Sequence, residues 1–105
     1  MSEPARIDFA SLPWDTGPTG IRSKTVLRDR RQIRLVELEG DNPEHDWCVT
    51  GHVGYVLEGE LEIAFENRTE RFATGDGFLI RSGENQRHRP QAVSRRVVLL
   101  LVEDA

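Results

Sequence analysis

Short apolar segments separated by turn residues dominate the sequence from residue 45 onward. In residues 60–66 every second residue is apolar (Leu61, Ile63 and Phe65), and three of the other four positions are glutamates. This alternation has the period of two that is typical of a half-buried antiparallel strand. No segment of ten or more residues shows the helical period. We therefore predict an all-β domain, built as a sandwich or a barrel.

Turn residues divide the rest of the chain into further strands. Turns are predicted at residues 41–43, 66–68 and 75–77, which are rich in Asp, Asn and Gly or contain Pro. Residues 25–39 have the pattern of a strand, and residues 58–60 are predicted to form a hairpin turn. The last strand, residues 95–103, is apolar on both faces and is expected at the centre of a sheet.

The first 24 residues differ from the rest of the chain. They contain three of the five prolines and show little periodicity. This pattern predicts an extended arm over residues 1–24 and a barrel over residues 25–105. Phe9 and Trp14 would anchor the arm by burying their rings against the barrel or against a second subunit.

Length and composition indicate one globular domain. The chain has 105 residues, of which 37% are hydrophobic and 30% charged. The longest strongly apolar run, residues 97–102, is too short to cross a bilayer, so no membrane association is expected. No basic segment followed by an apolar core opens the sequence, which predicts no signal peptide and a cytoplasmic location. The single cysteine excludes an internal disulfide and suits a reducing compartment.

The charged residues argue against a nucleic-acid-binding protein. The net charge is −4, whereas nucleic-acid-binding domains are usually basic. Most arginines alternate with Asp and Glu and are expected to form solvated faces. The alternative is an arginine that binds an anionic ligand in a pocket, and Arg81 is the first candidate for that role.

Residues that commonly bind metals are concentrated in the segment HDWCVTGH at 45–52. Read as a strand, this segment places Asp46, Cys48, Thr50 and His52 on one face, because strand side chains alternate. Taken alone, Cys48 is more often a small buried residue than a ligand. Asp46 could instead hydrogen-bond a turn amide or a ligand histidine.

The spacing of these residues resembles the cupin family. The first cupin motif has the form G-x5-H-x-H-x3,4-E-x6-G, and Gly59 in YVLEGEL matches its closing glycine. His52 then stands at the position of the motif's glutamate ligand. Cys48 and Asp46 stand at the positions of its two histidines. In the four-residue variant of the spacing, His45 becomes the alternative first ligand.

The second cupin motif is also present in altered form. Gly75 and Gly83 match glycines of G-x5-P-x-G-x2-H-x3-N, and Arg81 stands where proline is usual. The expected histidine position holds Gln86, while His88 follows two residues later and keeps the same strand face. The resemblance covers residues 25–103. It implies a double-stranded β-helix, or jelly-roll barrel, with Asp46, Cys48, His52 and His88 as the metal ligands.

A narrower resemblance is to the DHCW-motif subgroup of small cupins. Its first motif groups Asp, His, Trp and Cys ahead of a glycine–histidine pair and a LEGEL segment. Here Trp47, Cys48 and the pair Gly51–His52 agree, while His45 and Asp46 are exchanged. The subgroup implies a metal pocket and specifies no reaction.

The ligand set implied by the resemblance suits a divalent transition metal. A thiolate beside two imidazoles favours zinc first, with iron or nickel as alternatives, over magnesium or calcium. The implied function is a metal-binding cupin that binds or acts on an unidentified small molecule. The alternative is a non-catalytic ligand-binding or sensor cupin, with or without metal. Small cupins usually form homodimers, and the arm and the 25–39 strand would supply the edge pairing.

Overall fold

Nine strands are found in the part of the chain that the structure describes, which comprises residues 4–17, 21–40 and 47–104 of a computed structural model. The strands are β1 (Asp15–Thr16), β2 (Arg22–Arg28), β3 (Arg31–Glu39), β4 (His52–Glu58), β5 (Glu60–Phe65), β6 (Thr69–Ala73), β7 (Gly77–Ile80), β8 (His88–Ala92) and β9 (Arg96–Asp104). Two single 3₁₀ turns, Phe9–Ser11 and Glu84–Gln86, are the helical segments of the described residues. None of these residues forms a helix long and apolar enough to cross a membrane. The all-β prediction is confirmed.

The strands form two antiparallel sheets that face each other. The larger sheet has the order β1-β2-β3-β9-β4-β7, and the smaller has the order β6-β5-β8. The strand β9 lies between β3 and β4, which confirms the central position expected for this apolar segment. The predicted jelly-roll architecture is therefore confirmed, with the core enclosed between the two sheets.

The core follows from the alternation seen in the sequence. Leu61, Ile63 and Phe65 of β5 are buried, while Glu60 and Glu66 are exposed. Alternate residues of β4 and β9, together with Val36 and Leu38 of β3, supply the opposite wall. The core residues are Val36, Leu38, Val56, Leu61, Ile63, Phe65, Ile80, Ala92, Val97, Leu99 and Leu101.

Residues 25–39 form two strands rather than the single strand that the pattern predicted. The strands β2 and β3 are joined by a tight turn at Asp29 and Arg30, whose φ angles are 49° and 62°. Such left-handed pairs match the twist of a two-residue hairpin. The strand β3 is paired on both sides, by β2 and β9, so it cannot provide the free edge expected of this segment.

Residues 58–60 join the two sheets and are not the hairpin turn that was predicted. The strand β4 belongs to the larger sheet and β5 to the smaller, and the two strands are not paired with each other. At Gly59 φ is 92°, and an added Cβ would lie 2.2 Å from the carbonyl oxygen of Arg96. A side chain at this position would therefore be strained and would collide with β9.

The N-terminal segment lies along the β2 edge of the larger sheet. Only Asp15 and Thr16 pair with β2, while Lys24 donates a hydrogen bond to the carbonyl oxygen of Phe9 at 2.8 Å. The charged groups of Arg22 and Lys24 lie 4.6 and 4.7 Å from the ring centre of Trp14. The division into an arm of 1–24 and a barrel of 25–105 stays a prediction, and β2 already begins at Arg22.

Candidate metal centre

Cys48 and His88 are held side by side by backbone pairing. The amide of Cys48 donates to the carbonyl of His88 at 2.8 Å, and the amide of His88 donates back to Cys48 at 3.0 Å. Two residues that exchange both hydrogen bonds in an antiparallel pair point to the same face of the sheet. Trp47 reinforces the pairing, since the guanidinium of Arg89 lies 4.5 Å from its ring centre. The thiol and the imidazole therefore emerge together from the smaller sheet.

His52 approaches the same point from the larger sheet. It is the first residue of β4 and is paired with Ile80 of β7. Its Nε2 lies 3.9 Å from the sulfur of Cys48, and its ring centre lies 5.0 Å from that of His88. Residues between Cys48 and His52 are not in a strand. The two residues meet because the chain crosses between sheets, and not because they share one strand face as predicted.

The structure thus brings together three of the four residues proposed from the sequence. One donor atom each from Cys48, His52 and His88 lies within 4.8 Å of the other two. Asp46 and the alternative ligand His45 lie outside the described residues. Thr50, the remaining residue of the predicted face, is exposed, and its carbonyl oxygen lies 3.8 Å from the sulfur of Cys48.

The His88 imidazole has a buried nitrogen that no other described residue hydrogen-bonds. The side chain is 2% exposed, and its Nδ1 lies 2.9 Å from the carbonyl oxygen of Gln86. A carbonyl only accepts hydrogen bonds, so Nδ1 carries a proton, and the neutral form of this ring has its lone pair on Nε2. No atom of the described residues hydrogen-bonds this Nε2. Because an unsatisfied buried polar atom is costly, a ligand is the natural partner for this lone pair.

His52 is held by Glu103, a residue that the sequence did not single out. The Nδ1 of His52 lies 2.8 Å from a carboxylate oxygen of Glu103, although the alignment is poor for a hydrogen bond. Burial lowers the pKa of the His52 imidazole below its ordinary value, while the charge of Glu103 acts in the opposite direction. A neutral ring with its proton on Nδ1 leaves Nε2 free to bind a metal.

Arg34 completes this group of polar residues. Its guanidinium lies 3.2 Å from Oε1 of Glu103, whereas His52 lies beside Oε2. Both residues could have been identified in the sequence from the alternation of inward-facing and outward-facing positions along their strands. Glu103 follows the buried positions Leu99 and Leu101 of β9, and Arg34 precedes Val36 of β3 at the same spacing. A charged residue in the inward phase of a strand is unusual and marks a functional position.

A cavity of about 240 Å³ adjoins the three candidate ligands inside the barrel. We call it the inner cavity. Apolar side chains from both sheets form most of its wall, and Arg34 and the candidate ligands form its polar part. The lining residues are Ile21, Arg34, Val36, Leu38, Cys48, His52, Leu61, Ile63, Phe78, Ile80, His88, Pro90, Leu99 and Leu101. A small pocket with a few convergent polar groups is typical of a small-molecule site.

Sequence and structure comparisons agree on the family. The Cupin_2 family model, described as a cupin domain, matches residues 36–103. The chain belongs to the cupin family. A cupin-2 domain-containing protein from Shewanella frigidimarina is 26% identical, with 79% of each chain covered and a TM-score of 0.66. A comparison with curated protein sequences gives no match.

Two other solved structures resemble this cupin over nearly its whole length. KdgF from Halomonas sp. has a TM-score of 0.76 at 20% identity, with 98% of this chain and 96% of that chain covered. An RmlC-like cupin from Shewanella frigidimarina has a TM-score of 0.77 at 10% identity, with 97% and 91% covered. At these identities the likeness shows the fold alone.

Proposed function

We propose that this small cupin binds one divalent transition-metal ion through Cys48, His52 and His88. The same site binds or acts on a small molecule in the inner cavity. The observation that carries the proposal is the Nε2 of His88, which has no partner among the described residues and is buried beside a thiol and a second imidazole. Three soft or borderline donors around one point form a typical transition-metal site.

Zinc is the metal that this donor set favours first, with iron or nickel as alternatives. Zinc binds thiolate sulfur at about 2.3 Å and imidazole nitrogen at about 2.0–2.1 Å. Donor atoms that lie within 4.8 Å of one another reach such distances with small side-chain movements. A bound metal would supply a Lewis acid next to the inner cavity.

Asp46 is proposed as the fourth ligand, and His45 is its alternative. Either residue would close the coordination sphere and favour a binding or sensor role without turnover. With three protein ligands, one position stays open for a substrate or water, as in catalytic zinc sites. The apolar wall of the inner cavity supports binding of a small molecule in both cases, including the non-catalytic alternative.

Three further expectations from the sequence stay proposals. Trp47, Cys48 and the Gly51–His52 pair support placement in the DHCW-motif subgroup. The single cysteine, which suits a reducing compartment, supports a cytoplasmic location. A homodimer is supported by the β2 edge, where β1 covers only Arg22 and Ser23. Analytical ultracentrifugation showing a monomer at micromolar concentration would refute the dimer.

Elemental analysis of protein purified without added metal or chelator tests the proposed site. We expect close to one metal ion per chain, with occupancy reduced sharply by Cys48→Ala, by His52→Ala and by His88→Ala. Val49→Ala, in the same segment, serves as the matched control and should retain the metal. Asp46→Ala and His45→Ala, measured in parallel, identify the fourth ligand.

Two outcomes would reject this proposal. Full occupancy in all three ligand variants would place the metal elsewhere. A parent protein without zinc, iron, nickel, manganese or copper, and unable to take up added zinc, would favour the metal-free alternative.

A further inference from the structure

A second concave surface lies at the end of the larger sheet, outside the barrel. It has a volume of about 380 Å³ and is formed where β3, β4, β7 and β9 end together. We call it the outer depression. Its lining includes Arg31, His52, Arg81, Ser82, Glu103 and Asp104. His52 and Ile80 line both the outer depression and the inner cavity, and Glu103 lies beside His52.

Two arginines border the outer depression without a carboxylate partner. Most arginines of the described residues are paired with Asp or Glu, as Arg71 is with Glu62 at 2.8 Å. For Arg31 and Arg81, no ion pair or side-chain hydrogen bond is found within residues 4–17, 21–40 and 47–104. Arg31 opens β3 and Arg81 follows β7 directly. Two exposed guanidinium groups therefore border the same concave surface. No hydrogen bond from their N–H groups is found among the described residues.

Hydrogen bonding and close backbone packing fix the rim of the outer depression between these arginines. The amide of Gly51 donates a hydrogen bond to the hydroxyl of Ser82 at 2.8 Å. An added Cβ at Gly51 would lie 2.5 Å from the carbonyl oxygen of Ile80, so only glycine allows the two segments to approach. Because the Ser82 oxygen accepts this bond, the hydroxyl hydrogen stays free to donate to a ligand.

The charges around the outer depression favour an anion. Glu103 is already engaged by Arg34 at 3.2 Å and by His52 at 2.8 Å. Asp104 is the one other acidic residue in the lining, against the two unpaired arginines. The surplus positive charge and the planar donors of arginine match an oxyanion.

We propose that the outer depression binds a small oxyanion, a carboxylate or a phosphate, through Arg31, Arg81 and the Ser82 hydroxyl. This site is separate from the inner cavity and identifies an effector of this cupin as a small anionic molecule. One further expectation rests on the proposed function. A metal ion bound by His52 attracts an anion that lies on the other side of the His52 side chain. By reciprocity the anion then tightens metal binding by the same factor.

Isothermal titration of the full chain with phosphate, acetate and succinate tests the site. Protein freed of metal and of chelator is used first, and protein loaded with zinc second. We expect saturable binding of one anion per chain, weakened about tenfold or more by Arg81→Gln and by Arg31→Gln. The control is Arg95→Gln, an exposed arginine at the opposite end of β9, which should leave the affinity within about twofold because exposed charges at that distance are screened.

The outcomes separate the oxyanion site from the metal site. Preferential binding of phosphate or of the carboxylates identifies the source of the oxyanion. Equal weakening by all three variants would indicate general charge attraction and overturn the proposal, as would unchanged binding in Arg31→Gln and Arg81→Gln. Zinc should tighten anion binding about fivefold or more, and His52→Ala should abolish that gain. Anion binding in a protein that takes up no zinc would refute the metal site alone. Zinc binding without any anion binding would refute the oxyanion site alone.

Discussion

Two clusters of polar side chains in this cupin each contain a buried carboxylate, Glu37 or Glu103, and are satisfied very differently. The first, which we call the outer ion cluster, consists of Glu37, Arg22, Arg96 and Glu58 on the outer face of the larger sheet. Glu37 is 4% exposed, and its two carboxylate oxygens each accept a hydrogen bond at 2.8 Å, from Arg22 and from Arg96. Arg96 also donates to Glu58. Each charge in this cluster has a partner.

The second cluster is the candidate metal centre inside the barrel. Glu103 and Arg34 satisfy each other, but the Nε2 of His88 has no partner among the described residues. An unsatisfied lone pair in a protein interior is costly, so its presence indicates a position where a ligand binds. Compensated charge therefore indicates a structural role for the outer ion cluster. Uncompensated lone pairs indicate a binding role for the inner one.

The largest effect that separates the clusters is expected from His88→Leu. This change should abolish stoichiometric metal binding because it removes a ligand. Metal-free His88→Leu protein should lose no more than about 1 kcal/mol of unfolding free energy, since loss of the bond to Gln86 is offset by removal of an unsatisfied nitrogen. Elemental analysis and urea unfolding of chelator-treated protein measure the two quantities. A strongly destabilised metal-free variant would show that His88 is structural.

Glu103→Gln should weaken metal binding while the ligands themselves stay in place. Loss of the carboxylate beside His52 is expected to lower zinc affinity by about 10–100-fold, because such partners orient the ring and raise its basicity. Competition with a chromophoric chelator measures the affinity. Glu60→Gln, an exposed glutamate of β5, is the matched control. Equal affinities in the two variants would remove Glu103 from the centre.

Glu37→Ala should have the opposite profile. It removes the acceptor for Arg22 and Arg96 and should lower the unfolding free energy by about 1–3 kcal/mol. Zinc affinity should stay at the parent value, because the cluster lies on the other face of the sheet. Urea unfolding and the same chelator competition test both statements. A loss of zinc affinity would show that the two clusters are coupled.

The smallest expected effect is a pH dependence of the outer ion cluster. Burial would raise the pKa of the Glu37 carboxyl, but the hydrogen bonds and charges of Arg96 and Arg22 outweigh it, so the pKa lies below its ordinary value of 4.5. The stabilisation from this group is therefore complete above pH 4.5 and is lost as the pH falls through the lowered pKa.

Thermal unfolding of the parent and Glu37→Gln proteins across this range measures the effect. The difference in stability should be constant above pH 4.5 and shrink below it. Glu70→Gln, which removes an exposed partner of Arg68, should show a much smaller pH dependence. A difference that is constant down to pH 2 would contradict the assignment.

The fold could be predicted from the sequence wherever local pattern determined it. The alternation around Leu61 and the apolar segment of β9 gave the strand faces and the central strand correctly. The division of residues 25–39 was missed because Asp29 and Arg30 adopt positive φ without the glycine that usually signals such a turn. The role of Gly59 was misjudged because a local turn pattern does not determine which sheet the next strand joins.

Residues of the candidate site were predicted from the sequence, but the contacts that bring them together were not. Motif spacing selected Cys48, His52 and His88, which the structure brings together. Their meeting depends on Cys48 pairing with His88 and on the crossing of the chain to β4, which are long-range contacts invisible in a local pattern. Arg34 and Glu103 were missed because charged residues were assigned to solvated faces without considering strand phase.

The position of β9 has a consequence for the order in which the protein is made. This strand lies between β3 and β4, although it is synthesised about forty residues after β4 begins, as its bounds Arg96–Asp104 and His52–Glu58 show. A nascent chain that has emerged only as far as His88 already carries all three candidate ligands. It still lacks the strand that separates β3 from β4 and the carboxylate that orients His52. The proposed metal centre therefore reaches its full affinity only after β9 has inserted between β3 and β4 and brought Glu103 to His52.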